Sequence, residues 1–467
     1  YVLGYRSDSE ISKLQEIYEC NGSGECSMPT VISWTPDTSS YDIVDSGVVV
    51  PHFGDNEINK DFDYETIQYP DVNGDGYADI CGRTRNGMQC ILGSDEGFVG
   101  DPIINKTCID SDRYTGYPGL NFCNSTDNFK TITYLDVDGD GSDNLVVRSD
   151  IGVVVPFYAG VGVYTGLVAN TDNASNEANE DDNKYSIRYP DINGDALPDL
   201  CYRNDVLGIR CFLNITDTSN DKVWDTENPI ETGLCKDNDS GILKCNSSDN
   251  HKTIQYVDVN GDGMDDIFFR SDTKGLTYVL SKGDSFSESK FWFSNCSNTS
   301  SLYGCKGDAF YSFQFVDMNA DGLQDICWTA EGGNMYCFGN PGMYWDGNRY
   351  LTKLTNPYIP STSTDNAPVT LFNDFNSDGR PDVFLLPQAR NISSISTLGR
   401  RINSSNTGNH RYLFENGVIS SFCTTGCSKK DVYSTIRFVD TNGDGKQEVI
   451  HRTSVGIKIY NMDIATN

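Results

Sequence analysis

An acidic segment, Asp71-Val-Asn-Gly-Asp-Gly-Tyr-Ala-Asp79, sets oxygen-bearing side chains at alternate positions, with Asp71, Asn73 and Asp75 in series and Asp79 at its end. Alternate residues of a tight turn can aim their oxygens at one point, and calcium takes about six to eight hard oxygen ligands on such a loop. The carbonyl of Tyr77 would add another oxygen, and Asp79 would close the set from the start of the next strand. Gly74 and Gly76 allow the left-handed backbone that a loop of this kind needs.

The pattern recurs six more times. The corresponding donors are Asp136, Asp138, Asp140 and Asn144; Asp191, Asn193, Asp195 and Asp199; and Asp258, Asn260, Asp262 and Asp266. They continue with Asp317, Asn319, Asp321 and Asp325; Asp374, Asn376, Asp378 and Asp382; and Asp440, Asn442, Asp444 and Glu448. Up to seven Ca²⁺ ions are therefore expected. Ordinary surface turns use the same residue types, but seven copies, six of them closed by an acid, favour a metal loop. An EF-hand would need flanking helices and a bidentate Glu at loop position twelve. The seven copies hold Gly82, Val147, Tyr202, Phe269, Trp328, Leu385 and His451 there, and none of these can serve. Three copies depart from the pattern and are expected to bind more weakly: the second ends in neutral Asn144 beside Asp143, the third has Ala196 for its second glycine, and the seventh closes with Glu448. Ala320 and Ser377 replace the first glycine in copies five and six, a milder change.

These loops need rigid elements on either side. Thr66-Ile-Gln-Tyr69 leads into the first loop, Ala78-Asp-Ile-Cys81 leads out, and Gly87-Met-Gln-Cys-Ile91 follows after a short turn, all with strand character. Each loop should sit on a β-hairpin. Cysteines 81/90, 201/211 and 327/337 would staple the second and third strands of copies one, three and five. The other copies lack that pair, so odd and even copies largely alternate. Successive loops start 65, 55, 67, 59, 57 and 66 residues apart. A repeat of that length with short strands is the signature of a propeller or solenoid in which one repeat makes one sheet. The expected fold class is all-β, a β-propeller with seven calcium-loop blades.

Near the start, Thr30-Val-Ile-Ser-Trp-Thr-Pro-Asp37, Tyr41-Asp-Ile-Val44 and Gly47-Val-Val-Val50 look like a further copy with a decayed loop. The expected organisation is one propeller over residues 1–467. It comprises an N-terminal strand and disulfide loop at 1–29, a degenerate eighth blade at 30–57, and the seven repeats at 58–463. The first 26 residues also echo residues 277–305, so an N-terminal strand is expected to complete the last blade or a neighbour's blade. The Ser/Asn-rich stretch 391–406 is expected to be a glycosylated surface loop in the sixth copy.

The loops and their flanking strands resemble the FG-GAP repeats of the integrin α-subunit propeller and the related VCBS repeats of secreted proteins, over roughly residues 30–463. The resemblance implies calcium held between the first two strands of each blade by the residues named above. It is specific to fold and metal and does not specify a function.

Composition bounds the partners. The formal net charge of −32, from 67 acidic and 35 basic residues, argues against nucleic acid and anionic membranes. Seven Ca²⁺ would reduce it to about −18. Sixteen cysteines fall into eight close pairs: 20/26, 81/90, 108/123, 201/211, 235/245, 296/305, 327/337 and 423/427. Local disulfides of that kind point to an oxidising compartment. Sequons at Asn21, Asn105, Asn124, Asn173, Asn214, Asn238, Asn246, Asn295, Asn298, Asn391 and Asn403 point the same way, to an extracellular, secreted or cell-surface-associated glycoprotein. The uncharged stretch 151–169 contains Pro156 and four glycines and reads as two strands, so no membrane insertion is expected. The chain starts at Tyr1 without methionine, as expected of a processed chain.

A propeller hosts adhesion, lectin and enzyme functions alike. Repeats throughout and no separate catalytic domain favour a non-enzymatic adhesion or structural role, including self-assembly into a fibre or surface coat. Partners would be other extracellular proteins, glycans, or further copies in a homopolymer. The alternative is a carbohydrate-binding lectin, suggested by 53 aromatic residues, although the five tryptophans do not recur at one repeat position. An enzyme acting on polysaccharides is a weaker third reading. Its four histidines, His52, His251, His410 and His451, form no zinc motif. Lys-Gly-Asp tripeptides begin at Lys282 and Lys306 and are too short to assign a partner.

Overall fold

A computed structural model describes residues 2–6, 13–18, 30–31, 41–58, 63–98, 100–105, 130–149, 152–155, 186–204, 206–217, 222–236, 253–293, 313–318, 322–329, 335–338, 340, 351–354, 369–373, 381–386, 397–406, 411–420 and 434–464. Among these the structure is all-β, with a single short 3₁₀ turn at Asp63–Thr66. No helix in the described residues is long and apolar enough to cross a membrane.

Most strands form antiparallel sheets of three or four strands built from successive repeats, giving a β-propeller-like fold. The fourth copy shows the full pattern: Gln255–Val257, Asp266–Ser271, Gly275–Val279 and Lys290–Phe293 pair in chain order, with the acidic loop between the first two. The fifth copy repeats it with Gln314–Val316, Asp325–Thr329, Met335–Phe338 and Leu351–Leu354. In copies one and three the predicted lead-in strand shrinks to a single bridge, Gln68 to Cys81 and Arg188 to Cys201. The predicted staples are present: Cys81–Cys90, Cys201–Cys211 and Cys327–Cys337 join residues in register across the second and third strands. Cys235 is also disulfide-bonded, while the remaining predicted pairs lie outside the described residues.

Second strands carry near-continuous apolar runs because both of their faces are covered. Asp266-Ile-Phe-Phe-Arg-Ser271 is buried at every residue, and so is Ile80–Thr84. A strand buried on both faces loses the alternation of a half-exposed one. The covering comes from the neighbouring repeat on each side. Val257, Phe268, Leu276 and Trp292 of copy four pack on Phe313, Ile326 and Trp328 of copy five. Ile192, Cys201, Ile209 and Cys211 of copy three meet Ile254, Ile267, Phe269 and Val279 of copy four. Similar clusters join copies two and three and copies one and two. Phe268 meets Phe315 edge-on at 4.8 Å between ring centroids, and burying such a side chain contributes about 2–3 kcal/mol.

Two expectations near the N-terminus are corrected. Residues 30–57 do not make a blade of their own, because Tyr41–Val50 is the fourth strand of the last sheet, antiparallel to Gly456–Ile464 and in line with Arg437–Val439 and Glu448–Thr453. Thr30–Val31 instead pairs with Lys13–Tyr18, which pairs with Val2–Arg6, in a separate three-stranded sheet. The strand that completes the last sheet is thus Tyr41–Val50 and not the segment 1–26. The following residues reach the first copy. Val50, Phe53 and Ile58 share one cluster with Ile67, Ile80 and Ile91 and with Ile450, Ile457 and Ile459. Buried Arg452 donates to the Phe53 carbonyl and pairs with Asp55. The outermost strands of copies five, six and seven, Leu351–Leu354, Arg411–Ser420 and Tyr41–Val50, lie beside one another.

A third correction concerns the stretch 391–406. Its described part, Thr397–Asn406, is a ten-residue strand paired with Asp382–Leu386 and Arg411–Ser420, not a surface loop. Gly152–Val154 is a strand as expected, and the rest of the stretch 151–169 lies outside the described residues, apart from Val155.

Candidate metal centre

Loops one, two, three, four and seven are described in full, and they share one scaffold. Asp71 is its hub: Oδ1 accepts the N–H groups of Gly74 at 2.7 Å and Asp75 at 3.1 Å, and Oδ2 accepts that of Gly76 at 2.7 Å. Asp136, Asp191, Asp258 and Asp440 accept the same three bonds in their own loops. The carboxylate at position five then accepts the N–H of position seven, as Asp75 does from Tyr77 at 2.9 Å. Loop five keeps the bond from Gly322 to Asp317, while Asn319 and Asp321 lie outside the described residues. In loop six, Asp374, Asn376 and Asp378 also lie outside them, and Asp382 starts its second strand.

The backbone follows the glycine pattern with one exception. Gly76 has φ +85°, and Ala196 in loop three takes the same left-handed turn at φ 66°. A Cβ there costs roughly 1–2 kcal/mol. The Ala196 N–H still reaches Asp191 at 2.8 Å, so the loop keeps its shape against that cost.

The closing acids are buried braces. Asp79, Asp199, Asp266 and Asp325 are fully buried, and one oxygen of each accepts the N–H of loop position two: Val72, Ile192, Val259 and Met318, at 2.8–3.0 Å. The other oxygen accepts an N–H from beyond the third strand, from Gly93, Asn214, Ser281 and Asn340 respectively. Asn144 and Glu448 accept the position-two bond in loops two and seven. Each closing residue therefore ties its loop to its sheet, a role that the alternation of donors did not announce. Burial pushes Asp79 up to about 6 and Asp199 and Asp266 up to about 7, against the lowering effect of these N–H bonds. The neighbouring loop carboxylates push in the same direction as burial, and a cation would relieve that repulsion.

Loop two tests the fit of a metal most directly. Loops one, three and four have Asn at position three, and its amide donates to the position-five carboxylate at 2.8 Å, as from Asn73 to Asp75. Asp138 has no hydrogen to donate. Its Oδ1 is buried without a hydrogen-bond partner, and oxygens of Asp136, Asp138 and Asp140 lie within 4.8 Å of one another. Burial first, then the charges of Asp140 and Asp136, raise the pKa of Asp138. Three carboxylates converging with one oxygen unsatisfied suit a hard divalent cation. Calcium bound here would offset most of the cluster's negative charge, and the position-one acid, already held by three N–H bonds, would present its remaining lone pairs in a fixed direction.

Three sets of residues contribute without having been singled out as site residues. Asn214 donates Nδ2 to the Val137 carbonyl of loop two, Ser281 its hydroxyl to Ile192 of loop three, and Asn340 its Nδ2 to Val259 of loop four, each bridging one repeat to the one before. Asn214 is only 5% exposed, so the asparagine of this predicted sequon serves as an interior bridge. Asp143 and Asp265 bind backbone groups of the preceding loop. A buried arginine lies twelve positions after the start of five loops, at Arg83, Arg148, Arg203, Arg270 and Arg452. Its N–H donates to Thr66, Thr131, Ser186, Thr253 or Thr435, five positions before the loop. That fixed offset is legible in the sequence once the repeats are aligned.

The loops also touch in chain order. A Cβ on Gly74 would meet Ser142 of loop two, on Gly139 Leu197, on Gly194 Met264, and on Gly261 Leu323. Loop seven meets loop one, because a Cβ on Gly443 would lie 2.7 Å from Tyr77.

Comparison with known proteins agrees with this architecture. The FG-GAP-like repeat family matches residues 258–328 and 317–385, which hold loops four, five and six. No curated protein sequence matches the chain. Among solved structures, the chain is similar to a lectin from Agrocybe aegerita solved for its specific recognition of non-reducing terminal N-acetylglucosamine. The two share 14% identity and a TM-score of 0.53, covering 78% of this chain and 81% of the lectin. A second similar structure is BBS1N in complex with ARL6DN, from lead-soaked crystals, with 8% identity, a TM-score of 0.41 and coverage of 91% and 97%. FG-GAP-like repeats are thus matched at 258–328 and 317–385, and the same loop scaffold recurs outside them.

Proposed function

We propose that this protein is an extracellular, calcium-binding glycoprotein built as a closed seven-bladed propeller, with a non-enzymatic role in adhesion or structural assembly. The observation that carries the calcium reading is loop two, where Asp136, Asp138 and Asp140 converge and a buried Asp138 oxygen lacks a partner. The shared scaffold extends that reading to the other loops. Closure of the ring is supported by the cluster joining copies seven and one, the contact of loop seven with loop one, and the neighbouring outer strands of copies five to seven. The three cross-strand disulfides support an oxidising compartment.

Calcium in this reading rigidifies blades and performs no chemistry. The assembly role is tested by electron microscopy and sedimentation of the purified protein with calcium and after EDTA. Ordered polymers support it, and a discrete monomer under both conditions overturns it.

A lectin is the second reading, favoured by the similarity to the Agrocybe aegerita lectin. That similarity concerns the fold, so the test is binding itself. A glycan array probed with the calcium-loaded chain should stay blank under the first reading and show a defined sugar class under the second.

A further inference from the structure

The position-eight residues of loops two and four make contacts that the calcium scaffold does not require. The Asp143 N–H donates to the Asp71 carbonyl at 2.7 Å, and the Asp71 N–H donates back to Asp143 Oδ2 at 3.0 Å. Asp265 and Asp191 repeat the reciprocal pair at the same two distances. Asp71 and Asp191 are the hubs of loops one and three. Each is therefore fixed from two directions, by its own loop through its carboxylate and by the next loop through its backbone.

The other copies lack the chemistry for this contact. Position eight is Ala78 in loop one, which has no carboxylate, and Pro198 and Pro381 in loops three and six, which have no N–H to donate. In loops five and seven it is Gln324 and Gln447, neutral amides without the charge that strengthens a bond from a backbone N–H. Close approach recurs between successive loops among the described residues, but the charged reciprocal pair joins loop one to two and loop three to four.

We infer that Asp143 and Asp265 couple adjacent metal loops, so that loops one and two, and loops three and four, bind their ions as cooperative pairs. The inference rests on the calcium reading given above. An ion in loop two would order the segment Asp136 to Asn144, and with it Asp143. Asp143 then holds the Asp71 backbone in the position from which its carboxylate faces the loop-one ion. Loop one filled first would steady Asp143 in return, because coupling between two sites is reciprocal. Asp143 and Asp265 act here as positioning residues for a site in the neighbouring repeat.

The test is isothermal titration of the full chain with CaCl₂, comparing wild type with Asp143→Ala, Asp265→Ala and Gln447→Ala. Asp143→Ala should weaken two ions, those of loops one and two, by about tenfold to a hundredfold, the loss expected from one charge-assisted hydrogen bond. Asp265→Ala should weaken two others, and Gln447→Ala should leave the isotherm unchanged. If Asp143→Ala does not fold, Asp143→Asn keeps an acceptor oxygen without the charge and should weaken the same two ions by a smaller factor. Weakening of one ion alone, or of none, overturns the coupling while leaving the calcium reading intact. A wild-type chain that takes up no calcium overturns the calcium reading itself, and the coupling with it.

Discussion

At the scale of single residues, Asp138 and Asn214 show how one side chain changes what a repeated position does. Asp138 replaces the asparagine whose amide quiets the position-five carboxylate in loops one, three and four, and it leaves a buried oxygen without a partner. Asp138→Asn should supply the missing donor to Asp140. In EDTA the variant should melt higher than wild type, by roughly 1 kcal/mol of stability. With calcium its loop-two affinity should fall, because one ligand charge is gone. Differential scanning calorimetry with and without calcium checks both signs, and a variant destabilised in EDTA would refute the argument. Asn214 lies in an Asn-Ile-Thr sequon yet donates its amide to Val137 and Pro198 from the interior. Mass spectrometry of peptides from the purified protein should find Asn214 unmodified. Asn214→Ala should cost about 1–3 kcal/mol, since it leaves the Val137 carbonyl buried without that donor.

Strands and hairpins carry predictions of a different kind. The staple Cys201–Cys211 closes a short loop between in-register strands, and removing it with a double alanine substitution should cost on the order of 2–4 kcal/mol, read as a lower Tm. Tyr41–Val50 is the longer-range case. It pairs with Gly456–Ile464 across almost the whole chain, and Ser46 donates its hydroxyl to the Ile459 carbonyl at 2.6 Å. The segment that follows carries Phe53 and Asp55 to buried Arg452, where Arg452 Nε donates to the Phe53 carbonyl. A chain lacking residues 1–50 should retain local hairpins but lose protection from hydrogen exchange first in Glu448–Thr453 and Gly456–Ile464. Protection there equal to that of the full chain would show that the last sheet holds without its fourth strand.

For the whole molecule the governing quantity is the formal charge of −32. Much of it stands in the loops, packed in succession where loop carboxylates repel one another. Each ion bound at 100 times its Kd adds about 2.7 kcal/mol of stability. EDTA should therefore lower Tm by many degrees. In the calcium-free protein Tm should rise with added NaCl, because salt screens repulsion between exposed charges. The calcium-loaded protein should respond much less. Thermal melts over a NaCl series in both states check this, and equal salt slopes would show that the loops are not the main source of repulsion.

The sequence by itself determined what is local to one repeat. Alternate acids and glycines specify each loop, strand-like runs specify its flanks, and Cys81 and Cys90 lie close enough in sequence to pair across one hairpin. Arg83, Arg148, Arg203, Arg270 and Arg452 were equally legible, at a constant distance from five of the seven loops, because those repeats carry their core in register. The tertiary structure decided what lies between repeats. It assigned Tyr41–Val50 to the last sheet, turned the sequon at Asn214 into an interior bridge, and set Asp143 against Asp71. The physical reason is that a strand's own pattern states which of its faces must be buried, while the element that covers that face is chosen by how successive sheets pack.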